Sequence, residues 1–130
     1  MFIDELKNYI IANTDLVFGT DLFIGKLPID LTSVVALQKS NTNNQYEFNN
    51  TLGYFEEEIT IRIRGNQSEL ETRTLANTIY NLLENLVSVN FTNYRMVRGV
   101  FETVPYQLDG TDNNNNYIYV GVYIATLERK

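Results

Sequence analysis

Five side chains on one short stretch come nearest to a reactive constellation. Glu56, Glu57 and Glu58 are consecutive, and Arg62 and Arg64 follow. In an extended strand the side-chain period is two, so Glu56, Glu58, Arg62 and Arg64 share a face while Glu57 points the other way. Two carboxylates on one face could act as general acid and base in a hydrolase, and two guanidiniums could grip a phosphate. The same pattern also describes the solvated face of a half-buried strand, with the arginines in cross-strand or intersubunit ion pairs. No other group is available to assist chemistry. The chain holds no histidine and no cysteine, which removes the imidazole base, the usual transition-metal ligands and the thiolate nucleophile together. Its seven glycines are scattered and match neither the P-loop nor the dinucleotide-binding spacing. The expectation is no enzyme, no cofactor and no metal.

The elements that carry these residues are legible from periodicity. Residues 2–13 predict an amphipathic helix, with Phe2, Ile3, Leu6, Tyr9 and Ile10 on one side and Asp4, Glu5, Lys7 and Asn8 on the other. Residues 14–32 are rich in turn formers, with Leu22-Phe23-Ile24 as a short strand that Pro28 confines to an edge. Residues 33–39 predict a buried strand through Val34, Val35, Ala36 and Leu37. Residues 40–52 are mostly polar, with Tyr46 and Phe48 as exceptions, and read as a long loop that orders against a partner. In 55–64, Phe55, Ile59, Ile61 and Ile63 alternate with polar residues, and only Glu57 interrupts the apolar side. Ser68 and Glu71 form a capping-box pattern that opens a helix over about 70–87. Two long strands follow, about 95–108 and 117–127, joined by a turn with four consecutive asparagines, and Pro105 marks a bulge or an edge.

This order predicts one α+β domain spanning 1–130, an antiparallel-rich mixed sheet of about four to five strands with two helices packed on one face. The last strand poses a choice between faces. Ile118, Val120, Val122 and Ile124 are aliphatic and β-branched, which assigns them to the core. Tyr117, Tyr119 and Tyr123 then form an exposed aromatic stripe, and such stripes mark contacts. The expected subunit interface is therefore Tyr117, Tyr119 and Tyr123, joined by Arg62, Arg64, Tyr46 and Phe48.

Chain length and charge bound the class of partner. A chain of 130 residues that is 44% hydrophobic can build one core without disulfides. A net charge of −6 disfavours a nucleic-acid binder, even with Tyr94 and Phe101 near Arg95 and Arg98. No stretch approaches the apolar length that spans a bilayer, and the start of the chain lacks a signal-peptide pattern, so synthesis in the cytoplasm without a membrane partner is expected.

Several local phrases together resemble the tail terminator, or minor capsid, proteins of tailed bacteriophages, also called tail completion or tail-to-head joining proteins. They are the helix Phe2-Ile3-Asp4-Glu5-Leu6, the turn Phe23-Ile24-Gly25-Lys26-Leu27-Pro28 before Val34-Val35-Ala36-Leu37, and the strand Ile59-Thr60-Ile61-Arg62-Ile63-Arg64-Gly65. The helix from Glu71 to Leu83 and the final strand pair complete the set. The resemblance implies a homohexameric ring at the head-proximal end of the tail in the virion. Such a ring stops tube polymerisation, touches the tail tube protein and the head connector, and lets DNA pass without specific binding. The alternatives are another neck or tail subunit, such as a head-completion or tube protein, or a small non-viral binding module.

Overall fold

The computed structural model describes residues 1–40, 47–49 and 54–130, with the side chains of 47–49 and 106–109 left aside. The elements run α1 (Phe2–Asn13), β1 (Leu22–Ile24), β2 (Val34–Lys39), β3 (Glu47–Asn49), β4 (Tyr54–Arg64), α2 (Glu69–Leu83), β5 (Leu86–Asn90), β6 (Tyr94–Thr111) and β7 (Tyr117–Arg129). They form an α+β fold on one mixed sheet of seven strands, ordered β1-β2-β4-β7-β6-β5, with β3 paired to β4. Among the described strands β1 and β2 pair in parallel, and the other strand pairings are antiparallel. The sheet is wider than the four to five strands expected, because two short strands are hidden in segments whose composition suggests something else.

The first is β3, inside the polar stretch 40–52. Glu47 pairs with Phe55 and Asn49 with Tyr54, so three residues of the expected loop extend the sheet. Phe48 lies on this strand, whereas Tyr46 falls outside the described residues. The second is β5, which the helical stripe through Leu86 had absorbed. Helix α2 stops at Leu83: Glu84 is extended at ψ 133° while its N–H still bonds Tyr80 O, and Asn85 turns left-handed at φ 57°. Asparagine tolerates that conformation well. The β-branched Val87 and Val89 then continue as an edge strand on β6.

The start of α2 follows the sequence more closely. Ser68 Oγ accepts from Glu71 N at 3.3 Å. The Glu71 carboxylate does not return to the Ser68 amide as a full capping box would; it takes Asn66 Nδ2, and Asn66 Oδ1 accepts from Ser68 N at 2.7 Å. Thr72 is buried, donates to Ser68 O at 2.9 Å and accepts from Asn66 N at 3.2 Å. Its side chain occupies the space a Cβ on Gly65 would need. The glycine therefore lets the helix start sit directly on the end of β4.

Both helices pack on one face of the sheet. The core joins Phe2, Leu6 and Ile10 of α1 and Ala76, Ile79 and Leu83 of α2 to the odd-numbered positions of the central strands. These are Ile59, Ile61 and Ile63 on β4 and Tyr119, Tyr123, Ala125 and Leu127 on β7. Aromatic edges close one end: Phe91 and Tyr94 lie 5.4 and 6.1 Å from Phe2, near-perpendicular to it.

On β7 the expected assignment of faces is reversed. Tyr119 is 3% and Tyr123 0% exposed, while Ile118, Val120, Val122 and Ile124 lie half-buried on the helix-free face. The physical reason is interdigitation. On the odd face, large and small residues alternate as Tyr119, Gly121, Tyr123, Ala125. Tyr123 lies across Gly99 of β6 and donates its hydroxyl to Leu83 O at 2.8 Å, tying the sheet to the end of α2. Phe101 meets its ring edge-on at 4.9 Å. At Gly121 an added Cβ would stand 2.7 Å from Pro105 Cα. Pro105 sits where the β6–β7 register shifts between Thr103 and Gln107, the bulge its imino ring suggested.

Candidate assembly surface

The helix-free face of the sheet is built by the even positions of the central strands. On β7 it presents the aliphatic row Ile118, Val120, Val122 and Ile124. Register sets Val100 of β6 beside Ile124 and Thr103 beside Val122. On the other side β4 contributes Glu58 beside Ile124, Thr60 beside Val122, Arg62 beside Val120 and Arg64 beside Ile118. The face is thus an apolar row bordered by a charged one. A shallow concavity of about 350 Å³ lies on it, lined by Gln38, Lys39, Ser40, Glu58, Thr60, Arg62 and Val122. Arg62 Nη1 donates to Gln38 Oε1 at 2.6 Å, and Ser40 and Thr60 hydroxyls share a hydrogen bond at 2.8 Å.

Arg64, expected in a cross-strand or intersubunit ion pair, is engaged within its own chain. Its guanidinium reaches off the end of β4 and donates to the carbonyl oxygens of Pro28, Ile29 and Leu31. Its Nε stands 3.2 Å from Asp112 Oδ2, an ion pair without hydrogen-bond alignment. One side chain therefore fastens the segment after β1 to the β6–β7 turn. Asp112 organises that turn: its Oδ1 accepts from the amides of Asn114 and Asn116, both at 2.9 Å. The Asn116 backbone bond, with smaller contributions from Asn114 and Arg64, holds the Asp112 carboxyl below its ordinary pKa.

The pinned segment exposes apolar side chains: Ile29 is 86% and Leu31 42% exposed. Ahead of β1, Val17 is 55% and Phe18 48% exposed. Singly exposed apolar residues are ordinary, and adjoining ones mark a contact site. Lys7 of α1 stands 4.5 Å over the Phe18 ring. The sequence contained this signal, since these residues are too apolar for a solvated turn; the turn formers around them masked it.

The carboxylates weighed for acid–base chemistry divide between the two faces as the strand period implies. Glu56 and Glu58 sit half-buried on the open face opposite Thr126 and Ile124. Glu57 is buried on the core side at 7% exposure, with Lys39 Nζ 3.8 Å from its carboxylate. Among the described residues no group of three or more acidic side chains is placed to hold a metal ion, and no helix is long and apolar enough to cross a membrane. Of the expected interface tyrosines, Tyr119 and Tyr123 are core residues, and Tyr117 is half-buried against the core. Burial, with smaller contributions from the charges of Glu84 and Tyr9, raises the Tyr123 hydroxyl well above the usual phenol range. The side chain of Phe48, like Tyr46, is outside what is described.

Among the described residues, then, the sheet of seven strands carries both helices on one face and the half-buried aliphatic row of β7 on the other. The model of the bacteriophage tail terminator protein family matches residues 9–129. The chain belongs to that family. Among solved structures, one chain of the virion of a native gene transfer agent particle shares the fold, with a TM-score of 0.62 and 14% sequence identity. The match covers 85% of this chain and 80% of that one. No curated protein sequence matches the chain.

Proposed function

We propose that the protein ends the tail tube. It works as a homo-oligomeric ring, most simply a hexamer, at the head-proximal end of the tail, where it stops tube polymerisation and presents a surface to the head connector. The observation that carries this is the family match across 9–129. The geometry supports it. A ring of identical subunits needs two unlike surfaces on each copy, and the aliphatic row on β7 and the pinned segment with exposed Ile29 and Leu31 are two such surfaces. A net charge of −6 suits a ring through which DNA passes without sticking, because like charges repel. No step of this role needs catalysis. Deleting the gene should yield tails of uncontrolled length, and supplying the protein should restore a fixed length with the protein at one end, seen by labelled electron microscopy. Tails of normal length without the protein would overturn the proposal.

A further inference from the structure

We infer that neighbouring copies in this ring meet through a heterologous contact, in which segment 26–31 of one copy seats Ile29 and Leu31 on the Ile118–Val120–Val122–Ile124 row of the next. The inference rests on the ring reading and adds to it which surfaces touch. Three observations lead to a second copy of this chain as the occupant.

The first is that the projecting side is held in shape. Arg64 takes the carbonyls of Pro28, Ile29 and Leu31, so the backbone turns its oxygens toward the guanidinium, and Ile29 remains 86% exposed. A segment fixed by an arginine at several points cannot easily fold back to hide its apolar side chains. Pre-organisation of this kind removes much of the ordering cost of binding.

The second is that the two surfaces are unlike. The pinned segment carries exposed Ile29 and Leu31, and the β7 row is a half-buried aliphatic strip beside a concavity of about 350 Å³ that includes Val122. Both helices pack on the other face of the sheet. The two surfaces differ and belong to one chain, which is what a head-to-tail contact requires; an isologous contact would use one patch twice.

The third is charge. Exposed Lys26 and Asp30 stand on either side of the 27–29 stretch, one positive and one negative. On the receiving face, Glu58 supplies negative charge and Arg62 positive charge on either side of Val122. The segment can therefore lie with Lys26 toward Glu58 and Asp30 toward Arg62. In the reversed direction like charges would meet, so the charges select one orientation.

The absence of cysteine from the chain makes the test direct. Ile29→Cys and Val122→Cys are made as separate variants, each checked for an unchanged melting temperature, and incorporated singly or together into tails that are then oxidised. A disulfide-linked dimer should form only in tails holding both variants. A dimer in tails holding one variant alone would show 29 facing 29 or 122 facing 122, and would overturn the heterologous contact. Capped tails of normal length that hold both variants without any cross-link would overturn this contact and leave the ring standing. Tails that never contain the unmodified protein would overturn the ring and the contact together.

Discussion

The two faces of β7 carry comparable amounts of apolar side chain and meet different fates. The even face, Ile118, Val120, Val122 and Ile124, is uniform in size and β-branched. The odd face, Tyr119, Gly121, Tyr123, Ala125 and Leu127, alternates large and small. A helix layer can settle only against a surface with places for its own side chains, and close packing rewards interdigitation over hydrophobicity alone. Here the missing side chain at Gly99 leaves room for the Tyr123 ring, whose hydroxyl reaches Leu83 O at 2.8 Å, and Pro105 fills the space over Gly121. A tyrosine in a core needs such an acceptor. The aliphatic face offers no comparable relief, and it stays half-open. Residue volume along a strand therefore separates a covered face from an uncovered one where polarity does not.

Truncation should expose this difference first. Tyr123→Ala removes a fully buried ring and its bond to α2, and should cost about 3–5 kcal/mol of stability in denaturant unfolding. Tyr123→Phe keeps the ring and should cost about 1 kcal/mol. Equal small losses in both variants would mean that Tyr123 is not the tie between sheet and helix. Gly121→Ala comes next. Its Cβ would stand 2.7 Å from Pro105 Cα, a backbone atom that cannot swing aside. The expected loss is about 1–3 kcal/mol. A neutral Gly121→Ala would show that the Pro105 bulge shifts freely and that the spacing of the odd face is not constrained.

The smallest effect is electrostatic and lies at the end of the same strand pair. The folded state holds the Asp112 carboxyl below its ordinary value of 3.8, mainly through the Asn116 amide. A group whose folded pKa is depressed contributes stability above its unfolded pKa, and that contribution is lost as pH falls through the folded value. Asp112→Asn should therefore differ most from the unmodified protein at neutral pH and converge with it below about pH 4, as read by melting temperature across pH. A difference that stays constant across that range would mean the carboxylate charge has no part in holding the turn.

Much of the fold was readable from residue order. α1 follows the helical stripe from Phe2 to Ile10, and β4 follows the alternation from Phe55 to Ile63. Pro105 falls at a bulge, and Ser68 caps α2. The strands that escaped are short and lie in polar or helix-like surroundings. β3 is three residues among asparagines, and β5 begins where Leu86 still fits the helical stripe, with only Asn85 marking the stop. The candidate assembly surface was half legible. The final strand visibly has two apolar faces, but β-propensity favoured the wrong one for the core, because Ile and Val suit any pleated surface, buried or not. The role of Arg64 could not be read from sequence, since its carbonyl partners lie more than thirty positions away in a turn.

The reversal of faces can be tested by one paired measurement, in which Val120→Ser/Val122→Ser and Tyr119→Ser/Tyr123→Ser are compared for melting temperature and for incorporation into tails. The account predicts that the valine pair keeps a cooperative unfolding transition near that of the unmodified protein but leaves tails uncapped, while the tyrosine pair loses the folded state itself. A tyrosine pair that folds normally and fails only at the tail, or a valine pair that caps tails as well as the unmodified protein, would contradict it.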